Sequence, residues 1–393
     1  MKVLVANLGS TSFKYRLFDM VDEQVLARGG VERIGHASSR VYATIGETQV
    51  ERTLPVPDHA VAVQECLAQL TDPKQGCLAK ASDVAAIGFK AVHGGRISGV
   101  HVVNDNVLDA MEEMSPIAPA HNPPYIRAMR LLGEKLPETP LVAAFETGFH
   151  ATIEDRLRDY AIPRQWAEQF HVRKWGFHGA SHRYIATRTA EILGRDDLKI
   201  ISLHLGGSSS LCGIRNGKSV ANTLGMSPQT GLPQNNRVGD FDPFALPYLM
   251  QKTGKTLEQT LETLASEGGL LGVSGVSGDI RDLEKAADGG NAHAKAAIDL
   301  YVAEIRRHLG GLLVELAGAD VLVFTGGIGE NASRIRSGVC ARLDFVGVTL
   351  DERKNQTARG ETAIHADDST CQVWVVPTNE ELVVARQTVQ AVS

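Results

Sequence analysis

The chain has 393 residues, 43% of them hydrophobic and 22% charged, with a formal net charge of −6. That length predicts two domains with real cores, and the mild, unclustered acidity argues against nucleic acid or an anionic membrane as general partners. Five scattered cysteines (Cys66, Cys77, Cys212, Cys340 and Cys371) form no CxxC pair, which points to a reducing compartment and away from a structural zinc site.

The chain opens MKVLVANLGSTSFKYRLFD. This reads as a strand over 2–6, a polar turn from Asn7 to Ser12, and a second strand with Phe13, Tyr15 and Leu17 on the face opposite Lys14 and Arg16. Asn7 and Gly9 interrupt the apolar run, so no signal peptide is expected, and no apolar segment has transmembrane length. The expected location is the cytoplasm. Residues 25–34 and 41–54 read as further strands, 60–70 as a helix, and 84–92 as a buried strand ending in His93-Gly94-Gly95. After a short helix at 108–114 comes PIAPAHNPP, where Asn122 is placed to cap a helix over 125–134 with Pro123 at its first position. The apolar strand 141–145 runs into Glu146-Thr147-Gly148-Phe149-His150. Polar residues just past strand ends are where open α/β sheets hold their ligands.

A second half begins near residue 151. Pro163 is read as ending a helical stretch, and WGFHGASH leads into a helix over 183–193. Next comes KIISLHLGGSSSLCGIRNGKSV, residues 199–220: a strand, a Gly/Ser turn at 206–210, a returning strand, and Asn216-Gly217, which favours a type I′ turn. Such a turn leaves backbone N–H groups and hydroxyls in one concavity suited to phosphate oxygens, though an ordinary tight hairpin would read the same. Residues 224–238 lack apolar periodicity and read as a long functional or mobile loop. Asp240-Phe241-Asp242-Pro243 is read as starting a helix, 268–278 is glycine-rich, and 292–316 carries a helical stripe of Ile298, Tyr301, Ile305, Leu309, Leu312 and Leu316. DVLVFTGGIGEN at 320–331 is another strand running into glycines, with Asn331 placed to cap the helix that follows. A strand at 373–376 and a helix over 382–389 finish the chain.

The hairpins near residues 7 and 206 share one design, which predicts two related domains facing a nucleotide cleft. The expected boundaries are 1–150, joined by the C-terminal helix 382–393, and 151–381. Neither a Walker GxxxxGK[ST] loop nor Rossmann glycine spacing is present.

The segments NLGSTSFKYRLFD, VHGG, PAHNPP, FETGFH, WGFHGASH, HLGGSSS, GLPQNNRVGDFDP, VSGDIRDLE, TGGIGEN and PTNEELVVAR occur in this order. Over nearly its whole length the chain resembles the acetate kinase family of short-chain carboxylate kinases. The resemblance implies an α/β fold of two duplicated ribonuclease-H-like domains, as in the actin, sugar-kinase and heat-shock ATPase superfamily. It also implies a Mg²⁺- (or Mn²⁺-) dependent, reversible transfer of the ATP γ-phosphoryl group to acetate, giving acetyl phosphate and ADP. A cytoplasmic homodimer paired through the C-terminal domain is implied as well.

Phosphoryl transfer asks for positioning and for positive charge on the equatorial oxygens. On the resemblance, Arg237 bridges carboxylate and phosphoryl, His178 donates to the phosphoryl, and His121 and His182 support them. A zinc pair of His178 and His182 at i, i+4 fits helical geometry but lacks an HExxH motif and an obvious third ligand. Asn7 and Glu380 match the residues that hold Mg²⁺ through water, and Lys14 points toward phosphate. The ATP contacts implied are His204, Leu205, Gly206, Gly207 and Ser208; Asp279, Ile280 and Arg281; and Gly327, Ile328, Gly329, Glu330 and Asn331. The acid pocket implied is Lys90, Val92, Ala120, Phe177 and Pro228.

The sequence departs from the family pattern at several of these positions. Glu146 stands where the family has aspartate, Lys90 where it has arginine, and Ala120 where it has leucine. HLGGSSS replaces HLGNGAS, and the loop before Arg237 reads QTGLPQNN. Ala120 enlarges the expected acid pocket and opens the reading of a kinase for a larger acid such as propionate or butyrate. Glu146 and Lys90 open that of a weakened, nucleotide-binding homologue, since lysine loses bidentate carboxylate geometry.

Overall fold

The alternation of Phe13, Tyr15 and Leu17 against Lys14 buries the first three and exposes the fourth, so the N-terminus folds as a hairpin of β1 (Lys2–Gly9) and β2 (Ser12–Asp19). The computed structural model describes residues 1–9, 11–119 and 121–393. It divides into one unit of Met1–Gly148 with Asn379–Ser393 and a second of Phe149–Thr378.

In the first unit the hairpin is extended by β3 (Gln24–Glu32), β4 (Ser39–Ile45), β5 (Thr48–Leu54), β6 (Val84–Ala91), β7 (Val100–Val102) and β8 (Leu141–Phe145). The sheet order is β5-β4-β3-β2-β1-β6-β8-β7. The stretch 41–54 is a hairpin rather than one strand, because Gly46 adopts φ 56° and turns the chain. Phe13, Leu17, Ile87 and Phe89 lie fully in the core, and each aromatic contributes about 2–3 kcal/mol by burial. The helix Asp105–Glu113 starts before its apolar spacing does, because Asn104 Oδ1 accepts the Val107 N–H.

Asn122 does not cap the next helix. It is the first residue of Asn122–Lys135, and its buried Nδ2 donates to the carbonyls of His93 and Met111 at 2.7 Å each. The final helix runs Glu380–Val392, with Asn379 Oδ1 accepting the Leu382 N–H.

The second unit holds β9 (Lys199–His204), β10 (Ser210–Arg215), β11 (Lys218–Asn222), β12 (Val321–Thr325), β13 (Thr362–Ala363) and β14 (Gln372–Val375), ordered β11-β10-β9-β12-β14-β13. Strands β9 to β11 form an antiparallel meander, and β12 and β14 add in parallel beyond β9. The first unit repeats this with β1 to β3 as the meander and β6 and β8 in parallel beyond β1. The repeated order is the ribonuclease-H-like arrangement that the resemblance implies.

Several local expectations change in this unit. Pro163 starts a helix, Arg164–Phe170, since a proline lacks the N–H that a helix start does not need. The helix read at 183–193 begins four residues earlier, at Gly179, and the helix after Asp240 begins only at Ala245. GGIGEN is itself a helical turn, Gly326–Asn331, and Asn331 bonds back to the Gly327 carbonyl at 2.9 Å instead of capping Ser333–Cys340. The stripe of Ala292–Leu316 is as expected, with Tyr301, Ile305, Leu309, Leu312 and Leu316 buried.

Candidate active site

In the first unit the polar residues gather where β1, β6 and β8 end. Asn7 lies near the end of β1 and Lys90 near the end of β6, while Glu146 follows β8 with its N–H on the Ala91 carbonyl at 2.8 Å. Lys90 Nζ donates to Glu380 Oε2 at 2.6 Å. Burial alone would lower the Lys90 pKa, but Glu380, then Glu146 and Tyr125, outweigh it and hold the ammonium charged. Tyr125, buried on the helix Asn122–Lys135, donates its hydroxyl to Asn7 Oδ1 and accepts the Leu8 N–H, both at 3.1 Å. Burial raises its own pKa, so it stays a donor.

Asn7 also lines an open groove of about 190 Å³ with Lys14, Arg16, Arg28 and Glu381. His121 stands at the N-cap of the helix, Val92 is half-buried just past β6, and Ala120 lies outside the described residues. Asn7 and Glu380 offer only oxygen donors, and the described residues contain no cluster of three His, Cys, Asp or Glu able to hold a metal. That donor set fits a hard ion that keeps most of its waters.

In the second unit the WGFHGASH segment turns sharply. His178 sits at φ 59°, in the left-handed region, immediately before the helix Gly179–Leu193. Its ring stacks on His204 with centroids 4.2 Å apart, and its Nδ1 lies 2.8 Å from Ser210 Oγ. His182, fully buried, reaches Ser210 Oγ at 2.8 Å and Ser202 Oγ at 2.9 Å. His150 bonds the Phe177 carbonyl at 2.9 Å.

Burial depresses both His182, well below the histidine range, and His150, to about 4. These inner rings are therefore neutral at physiological pH. The rings of His178 and His182 are held by serine hydroxyls.

The loop before Arg237 is not loose. Gln234, fully buried, accepts from Ser208 Oγ at 2.8 Å and from Arg237 NH1 at 3.2 Å, and donates to the Pro228 carbonyl at 2.9 Å. Arg237 NH1 also reaches the Pro228 carbonyl at 3.3 Å. Among the described residues the Arg237 guanidinium has only neutral acceptors, and burial lowers its pKa. It is a half-buried cation without a carboxylate counterion.

Beyond the loop lies a groove of about 610 Å³ lined by Gly206, Gly207, Asn235, Asp279, Ile280, Arg281, Glu284, Gly327, Ile328, Asn331 and Ala332. The Leu205 carbonyl accepts the N–H groups of Ile328 and Gly329 at 2.9 and 3.0 Å, which zips the GGIG turn to the end of β9. Gly326 must be glycine, with φ 77° and a Cβ position only 2.7 Å from the Leu205 oxygen. Glu330 is not among the residues lining the groove, and its carboxylate accepts from the N–H groups of Gly326 and Thr378. Arg281 folds onto Asp279 at 2.6 Å and is largely exposed. Glu284 Oε1 and Asn235 Oδ1 are buried acceptors with no hydrogen-bond partner among the described residues.

Asn7, Lys90, Glu146 and Glu380 fall in the first unit, and His178, His182, His204, Arg237 and the GGIG turn in the second. Tyr125, Gln234, Ser210, Glu284 and the buried Arg336, which the sequence reading missed, also belong to these surroundings; Arg336 donates to the carbonyls of Gly329 and Glu330 at 2.8 and 3.0 Å. Tyr125, Ser210 and Gln234 gave no signal because each acts through a partner distant in sequence or sits in an irregular segment; Glu284 looks like any exposed helix carboxylate until burial is known.

Glycine turns flanking a groove sized for a small-molecule ligand, beside fixed hydroxyls and an uncountered guanidinium, define a phosphotransferase of mixed α/β fold. The chain belongs to the acetokinase family, whose model matches residues 2–386. Acetate kinase from Finegoldia magna is 41% identical over 391 residues, covering 99% of each chain. Propionate kinase from Citrobacter rodentium is 42% identical over 388 residues, covering 98% of this chain and 95% of its own. Among solved structures, Porphyromonas gingivalis acetate kinase matches with a TM-score of 0.92 at 38% identity, covering 100% of both chains. A propionate kinase from Francisella tularensis matches at 0.91 and 32%, covering 99% of both. The chain is a kinase with ATP and ADP as co-substrates. Among the described residues no helix is long and apolar enough to cross a membrane.

Proposed function

We propose that the protein transfers the γ-phosphoryl group of ATP to acetate, reversibly, giving acetyl phosphate and ADP. The observation that carries this is the Arg237 guanidinium, held in place by Gln234 and the Pro228 carbonyl without a carboxylate to neutralise it. An acid and a phosphoryl group are the anions it lacks, and a planar fork can hold both in line. ATP occupies the groove of Gly206, Gly207, Asp279, Ile280 and Gly327, with Glu284 and Asn235 as acceptors for its hydroxyl or amino groups.

His178 donates to the transferring oxygens, where charge accumulates in the transition state. Asn7 and Glu380 would hold the magnesium ion, which when bound neutralises phosphate charge. Lys90 holds the Glu380 carboxylate and offsets its charge and that of Glu146.

Trapping the acyl phosphate with hydroxylamine tests this. We expect kcat/KM for acetate to exceed that for propionate and butyrate; a steep preference for a larger acid would replace acetate with that acid.

The kinase acts as a homodimer in the cytoplasm on this reading. Phe244, Tyr248, Leu257 and Leu261, on or beside the helices Ala245–Thr253 and Leu257–Ser266, are 87, 61, 49 and 48% exposed, an apolar surface that suits a second copy. All five cysteines are free, in keeping with a reducing compartment. Light scattering should give about twice the 42.2 kDa chain mass.

A further inference from the structure

Four side chains of the second unit form a continuous line of hydrogen bonds: Ser202, His182, Ser210 and His178. Ser202 Oγ lies 2.9 Å from His182 Nδ1, His182 Nε2 lies 2.8 Å from Ser210 Oγ, and Ser210 Oγ lies 2.8 Å from His178 Nδ1. Ser202, His182 and Ser210 are fully buried. Each hydroxyl carries one hydrogen, and so does each neutral imidazole. If every bond is made and the buried Ser210 hydrogen is kept bonded, two hydrogen placements exist, one running from Ser202 to His178 and one running back; having both rings donate to Ser210 would strand its hydroxyl hydrogen.

The end of the line selects between them. Ser202 makes no other side-chain hydrogen bond among the described residues. Running forward, its single hydrogen goes to His182 Nδ1. Running back, its oxygen accepts from His182 and a buried hydroxyl hydrogen is stranded, the costly case for a desolvated donor. Running forward also has Ser210 donating to His178 Nδ1, which puts the His178 proton on Nε2.

We propose that Ser210, oriented by His182 and Ser202, is a positioning residue that fixes His178 as its Nε2–H tautomer, so that the ring meets the phosphoryl group as a neutral donor. This rests on His178 contacting the phosphoryl, as proposed above. Burial, and then the His150 and His204 rings, disfavour an added proton on His182; the third ring facing it is His178 and the next residue is the cationic Arg183, so no carboxylate is among these neighbours to favour one. The inner ring of the line, His182, thereby stays neutral through the histidine range of pH. The stacked His204 has its own hydroxyl, Ser181 Oγ at 2.8 Å from its Nδ1.

The test reads the tautomer directly, by long-range proton–nitrogen NMR of the histidine-labelled, full-length enzyme above the histidine titration range. His178→Gln identifies the His178 signals. We expect protonated Nε2 and unprotonated Nδ1 on His178 in the wild type. In Ser210→Ala that single-tautomer signature should be lost and kcat should fall about tenfold, with KM for ATP and acid changed less than about twofold. A proton on His178 Nδ1 in the wild type, or a Ser210→Ala enzyme with unchanged tautomer and kcat, overturns the proposal. Should Ser210→Ala fail to fold, Ser202→Ala at the far end carries the same readouts. A His178→Gln enzyme with wild-type turnover would instead remove the underlying role of His178, a failure told apart because the tautomer is read without turnover.

Discussion

Lys90 and Glu380, 290 positions apart in the chain, meet at 2.6 Å and tie the end of β6 to the first turn of the last helix. The ammonium also lies in the field of Glu146, so one cation offsets the charge of two carboxylates. Lys90→Met should therefore cost about 2 kcal/mol, modest for a buried pair because Lys90 is 24% exposed. The same variant should lower kcat/KM about a hundredfold by letting Glu380 and Glu146 move. Lys90→Arg keeps the charge and should retain most of both. The Lys90 pKa is raised on folding, so its contribution is fully present below the unfolded value and is lost only as pH rises through the folded one. Urea titrations of wild type and Lys90→Met should differ by a constant amount from neutral pH to about pH 10; a gap that closes nearer neutrality would refute the pairing.

Arg237 should show the opposite balance. Its guanidinium is desolvated without a counterion, so it lowers stability while serving the reaction. Arg237→Ala should reduce kcat by about a thousandfold and leave the melting temperature unchanged or higher. A large loss of stability in calorimetry would mean that the arginine is structural.

Gly326→Ala combines a left-handed backbone with a Cβ 2.7 Å from the Leu205 oxygen. The expected cost is about 1–3 kcal/mol, with a raised KM for ATP because the GGIG turn must move off the end of β9. An alanine variant with wild-type nucleotide affinity and stability would contradict the tight turn.

Acid should destabilise the second unit before most carboxylates titrate. Burial holds His150 near 4 in the folded protein, against about 6.5 when unfolded. Between those values the unfolded chain binds a proton that the folded one does not, so stability falls as pH falls, by up to about 3 kcal/mol. His182 acts in the same direction. Denaturation midpoints taken from about pH 7 to pH 4.5 should decline, and His150→Gln should flatten that decline. A wild-type curve level to about pH 5 would rule out the neutral buried rings.

Much of the fold was legible because its signals are local. The stripe of Tyr301, Ile305, Leu309 and Leu316 needs only helical periodicity, and Asn216-Gly217 needs only two residues that tolerate positive φ, observed at 51° and 73°. Errors came where one residue type serves two local roles. Asn122 and Asn331 both looked like caps, yet each bonds a carbonyl instead. The stretch 41–54 has strand character throughout, and a single glycine made it two strands.

The sequence alone pointed to the class of chemistry through the family resemblance that WGFHGASH, GGIGEN and the other ordered segments carry; the glycine turn by itself reads equally as an ordinary hairpin. Tertiary structure decided which donor meets which acceptor: Lys90 on Glu380, Tyr125 on Asn7, and Gln234 between Ser208 and Arg237. A side chain's chemistry states how many hydrogen bonds it can make, but partners far apart in sequence are chosen only once packing has brought them together and burial has made every unmet bond costly.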